Sequence, residues 1–94
     1  MPDPTPHETD AFLETLIAQQ REVVYRLAGA LNPRLTRDDV LTPEDFPELA
    51  GNVRFNYEEG ILGGLLRAQM ALRAEVAKEK RSTSNVQHPT SNLP

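Results

Sequence analysis

Residues 60–72 read GILGGLLRAQMAL, and the reading of this stretch decides the fold. Arg67 and Gln69 are its only polar side chains, and it contains no proline. Acids precede it at Glu58 and Glu59, and bases follow it at Lys78, Lys80 and Arg81. Acid at the start and base at the end complement a helix macrodipole. The stretch therefore reads as the middle of one helix, over about residues 56–81. Asn56 serves as its cap, with Glu59 at the third position to complete the pattern. At 1.5 Å per residue this helix is about 36 Å long. Ile61, Leu65, Ala68, Leu72 and Val76 form its main apolar stripe, while Leu66 and Met70 lie well round to the other side. A helix that is apolar on most sides is buried on most sides, so a single partner helix leaves part of it uncovered.

Gly60, Gly64, Ala68 and Ala71 make a row of small residues at helical spacing. Each glycine inside a helix costs about 1 kcal/mol relative to alanine. Close approach of another backbone explains that cost, and the alternative is a frayed or kinked turn at Gly63-Gly64. Arg67 reads as a stem laid over apolar surface with its head in water. The other reading of Arg67 is one half of an ion pair with a partner.

A second long helix lies upstream, over about residues 6–31. Thr5-Pro6-His7-Glu8 places threonine at the cap, proline at the first helical position and Glu8 at the third. Leu13, Leu16, Gln20, Val23, Leu27 and Ala30 recur at three-four spacing, Ile17, Val24 and Leu31 widen that stripe on one side, and Phe12 widens it on the other. The apolar face spans roughly 140°, wider than a coiled-coil seam. Glu14, Arg21, Glu22, Tyr25 and Arg26 occupy the opposite face, with Glu22 and Arg26 one turn apart. Asn32-Pro33 ends the helix, because proline disfavours helical geometry in the residue before it.

Residues 32–55 connect the two helices. This exceeds the usual connection of about 2–8 residues, but Leu35, Val40, Leu41, Phe46, Leu49, Val53 and Phe55 provide anchors. Thr36 with Asp39, and Thr42 with Pro43 and Asp45, look like the starts of single helical turns. The connector is expected to be ordered and to pack across one end of a helical hairpin. Residues 1–5 read as a flexible start. Residues 82–94, where Thr83-Ser84-Asn85-Val86 recurs as Thr90-Ser91-Asn92-Leu93, read as a low-complexity disordered tail.

Sites of chemistry are scarce. The chain has 94 residues, no cysteine and a net charge of −4. Thiol catalysis, disulfides and thiolate metal sites are excluded, and bulk electrostatic attraction to nucleic acid is disfavoured. No apolar run approaches the roughly 20 residues that span a bilayer. The acidic, proline-rich start does not resemble a targeting peptide, so a cytoplasmic setting is expected. His7 and His88 lie near the polar ends of the chain, outside any apolar pocket. Gly60-Ile61-Leu62-Gly63-Gly64 lacks the Lys-Ser/Thr and the preceding strand of a phosphate loop.

The fold expected is all-α: two long antiparallel helices with an ordered connector, dimerising into a four-helix bundle. The expected interface is Gly60, Ile61, Gly64, Leu65, Ala68 and Leu72, with Leu16, Val23 and Leu27 behind it. The function expected is a non-catalytic interaction module or small subunit, partnered by itself or by another helical protein. It needs no cofactor, metal, nucleic acid or membrane. Two alternatives stand beside it. One is a helical enzyme or metal-binding protein using Asp38, Asp39, Glu58 and Glu59. The other is a nucleic-acid-binding regulator using Lys78, Lys80 and Arg81.

Overall fold

The computed structural model describes residues 3–87, with side chains through Arg81. The described residues are all-helical. The helices are α1 (Pro6–Leu31), α2 (Arg37–Val40), α3 (Pro47–Ala50) and α4 (Val53–Gln87), with a 3-10 turn at Pro43–Asp45. Two of these are long, and they pack against each other.

The start of α1 follows from its first residues. Thr5 Oγ1 accepts the Glu8 backbone N–H at 3.1 Å, and Pro6 takes the first turn, where its missing N–H is not needed. Thr9 lies inside the helix, its hydroxyl donating to the Thr5 carbonyl. Asn32 closes the other end through its N–H to the Ala28 carbonyl.

The second long helix differs from expectation at both ends. Its cap is Asn52, whose Oδ1 accepts the Phe55 N–H at 2.8 Å. Asn56 is already inside, with its N–H bonded to the Asn52 carbonyl and its amide donating to the Ala50 carbonyl. The earlier start carries Phe55 into the first turn, where it is wholly buried. At the far end α4 continues to Gln87, so residues 82–87 are helical rather than tail. No proline or glycine interrupts them, and extending a formed helix costs little. The remainder of the expected tail, with His88, lies outside the described residues.

The core sits at the connector end of the hairpin. Val24 and Ala28 of α1, Leu35 and Leu49 of the connector, and Phe55 of α4 form one buried cluster, with Leu27, Leu31, Val40, Phe46 and Leu62 packed around it. Two single-turn helices hold the connector there. In α2, Thr36 and Asp39 exchange both bonds of a capping box. In α3, Pro47 opens a turn that delivers Leu49 to the core. Thr42 makes no side-chain cap bond, although the 3-10 turn after it forms.

The inner edge of α1 is turned relative to the periodicity. Ile17, Val24 and Ala28 lie at its centre, while Val23 and Ala30 are exposed. The small Ala28 leaves room for Leu35 and Leu49, and this contact fixes the rotation of α1 at the connector end. Tyr25 is half-buried, because the Arg37 guanidinium lies 4.0 Å from the centre of its ring. Glu22 pairs with that same Arg37 at 2.9 Å, across the chain rather than along its own helix.

Candidate interaction surface

Polar contacts between the two long helices set their direction and register. Asp10 meets Arg73, Glu14 meets Gln69, and Gln20 meets Glu58. These pairs run in opposite directions along the helices, so α1 and α4 are antiparallel. Gln69 is buried, and its amide donates to Glu14 Oε2 at 2.5 Å. Gln20 donates to both the Glu58 carbonyl and its carboxylate, at 2.8 and 2.7 Å. Arg73 forms a two-pronged contact with Asp10, at 2.8 and 3.1 Å.

These contacts also divide the hairpin into two flanks. At 100° per residue, Leu16, Val23 and Leu27 of α1 share a side with Gln20, and Ile61, Leu65, Ala68 and Leu72 of α4 share that side with Glu58. Phe12 lies there too. Glu14 and Tyr25 of α1, with Glu59, Leu66 and Met70 of α4, lie on the side of Arg73. The connector folds onto the Arg73 flank: Arg37 covers Tyr25 and binds Glu22, and Glu44 comes near enough to Glu59 to act on its charge. The Gln20 flank is left open.

The expected interface residues therefore fall into three places. Leu16, Leu27, Leu65 and Leu72 are half-buried between the helices and keep one edge on the open flank. Val23 and Ile61 are 39% and 37% exposed, and Ala68 is exposed beside them. Gly60 and Gly64 point away from α1. A Cβ built on Gly60, Gly63 or Gly64 meets nothing within 4 Å, so no backbone approaches them within the chain. The helix passes through Gly63-Gly64 unbroken. Tyr57, 67% exposed, lies on the open flank one turn before Ile61; Phe12, 63% exposed, is the largest wholly apolar side chain there and was absent from the expected set. The periodicity places Phe12 at the edge of the apolar face, one helical turn before Leu16, but not in the interface.

The electrostatics belong to the covered flank and the connector. A hydrogen bond from Arg73 holds the Asp10 carboxyl below its ordinary value, with burial opposing. Arg37 does the same for Glu22. The Asn32 amide, helped by a backbone N–H, lowers Glu48. Glu59 moves the other way, raised first by burial and then by Glu44.

No group of three or more His, Asp or Glu side chains placed to hold a metal occurs among the described residues. Asp39 is engaged in the cap of α2, and Glu58 is bonded to Gln20. Lys78, Lys80 and Arg81 are exposed on α4. Beside Lys80, a cleft of about 370 Å³ opens between the start of α1 and α4, lined by Pro6, His7, Asp10, Leu72, Arg73 and Val76 among others. No described helix is long and apolar enough to cross a membrane.

No protein-family model matches this chain, and comparison with curated proteins and with solved structures found no match. The class defined by the described residues is thus an antiparallel helical hairpin, buttressed by a connector on one flank and apolar on the other.

Proposed function

We propose that this chain is a non-catalytic association module whose open flank is covered by a second copy of itself, giving a four-helix bundle. One observation carries the reading: Phe12, Val23 and Ile61 are left in solvent on the same flank, bordered by the half-buried Leu16, Leu65 and Leu72. Scattered exposed apolar residues are ordinary, but a run of them along one side of two adjacent helices marks an interaction surface. Hairpins of this kind pair naturally, since two copies bury both wide apolar faces at once.

Light scattering over a range of concentrations tests the reading, and a dimer is the expected mass. Phe12→Glu places a charge in the proposed interface and is expected to give a folded monomer. Leu65→Glu is a poorer probe, because Leu65 is half-buried against α1 and its loss disturbs the hairpin itself. A wild-type chain that stays monomeric at every concentration would sink self-association and shift the reading to a different helical partner.

A further inference from the structure

Two hairpins stacked flank to flank have two symmetric arrangements. In one, like ends lie together and α1 of each copy crosses α4 of the other. In the second, opposite ends lie together, so that α1 meets the partner's α1 and α4 meets the partner's α4, each antiparallel. We infer that this protein pairs in the second way, about a two-fold axis near Gly64 of α4 and Ile17 of α1. The inference rests on the self-association proposed above.

The first argument is charge. Residues 34–48 carry Asp38, Asp39, Glu44, Asp45 and Glu48 against Arg34 and Arg37, and Arg37 is already paired with Glu22. At the other end α4 outruns α1: Pro6 lines the same cleft as Ala77 and Lys80, so the helix beyond them has no α1 beside it. That overhang begins with the exposed Lys80 and Arg81, just after Lys78. The connector lies on the far flank of each hairpin, so these charges make no contact across the seam and act through the field of each end. Stacking like ends puts two acidic ends of the bundle together, and stacking opposite ends puts each acidic end over a basic one. Such complementarity chooses orientation more than it adds affinity.

The second argument is register. Arg54 and Glu75 lie on the open side of α4 and make no ion pair among the described residues. In an antiparallel α4 pair centred beside Gly64, Arg54 faces the partner's Glu75, and Ile61 faces the partner's Ala68. A large side chain then meets a small one at each crossing. In α1, the two most exposed large apolar residues of this flank, Phe12 and Val23, face each other across the dimer when the centre falls beside Ile17. The two centres stand within about two residues of level in the hairpin: the contacts of Glu14 with Gln69 and of Gln20 with Glu58 place Ile17 beside residues 63–64. One axis therefore serves both helices.

The absence of cysteine makes the test clean. Ile61→Cys and Ala68→Cys chains are mixed and oxidised, as are Phe12→Cys and Val23→Cys chains, and the mass of each variant is checked by light scattering. The expected result is a dimer in which both mixtures cross-link as heterodimers. A dimer in which Phe12→Cys instead links to Ala68→Cys has like ends together and overturns the arrangement while leaving self-association intact. A dimer with none of these links also overturns it. A chain that is monomeric throughout removes the underlying reading as well. As a second measurement, Arg54→Glu weakens the dimer roughly two- to tenfold, and adding Glu75→Arg restores it. If the double variant is no tighter than the single one, the register is wrong.

Discussion

The two flanks of the hairpin are built from the same pair of helices and meet different fates. On the Arg73 flank, α1 and α4 are joined by an ion pair, and the connector lays Arg37 over Tyr25 of α1, with the buried Leu49 nearby. On the Gln20 flank a single polar link, Gln20 to Glu58, lies among apolar side chains that nothing covers. A connector of this length can fold over only one side of a two-helix layer. The apolar width of each helix exceeds what one neighbour uses, and most of the surplus lies on the side the connector does not reach, although Met70, 71% exposed, is left in solvent on the Arg73 flank beyond the connector.

The largest test of this contrast removes the connector's hold. Phe55→Ala empties a fully buried site and is expected to cost about 3–5 kcal/mol, and Leu49→Ala about 2–5 kcal/mol, by denaturant unfolding. Val23→Ser on the open flank is expected to change the stability of an isolated hairpin by less than about 0.5 kcal/mol. Equal losses at Leu49 and Val23 in a monomer would erase the distinction between the flanks.

Helix-level changes follow. Asn52→Ala is expected to lose about 1 kcal/mol, because it removes the cap of α4, while Asn56→Ala loses less. The reverse order would return the start of the helix to Asn56. Gly63→Ala is expected to gain up to about 1 kcal/mol, since its Cβ enters open space in a regular helix.

The smallest effects are those of pH. Asp10, Glu22 and Glu48 are held below their ordinary values. The stability they contribute is present above the ordinary carboxylate range and is lost as pH falls through their lowered folded-state values. Glu59 has the opposite sign: its folded-state value is raised. Its ionised form therefore opposes folding near neutrality, and acid relieves that cost. Glu59→Gln is expected to raise the unfolding midpoint at pH 7 and to match the wild type once the pH is well below 4. A constant difference at all pH values would mean that charge is not the cause.

Much of this fold was legible in the sequence, because a 3.6-residue period over long segments and a Thr-Pro start leave few choices. Thr5 and Thr36 cap as their neighbours predict. What the sequence hid was rotation and extent. A 140° apolar face does not say where its centre lies, and the centre moved to Ile17, Val24 and Ala28 only because connector leucines seat against the latter two. Asn52 and Asn56 are equally good caps by residue type, and burial of Phe55 decides between them. The open flank was legible as excess apolar width and as most of the residues named, but not as one side of the hairpin. That needed the hydrogen bonds of Gln20 and Arg73, which join residues more than 35 positions apart.

Those same bonds answer a problem that leucine stripes create for themselves. Apolar ridges repeating every three or four residues mesh almost as well after sliding by one helical turn, about 5.4 Å. Gln20 and Gln69 do not repeat. A slip that kept the leucines interlocked would strand these amides and their carboxylate partners, at about 1–3 kcal/mol for each buried group left without a partner. The two glutamines thus act as notches on a vernier, and of the several ways these helices could mesh, they leave the hairpin one.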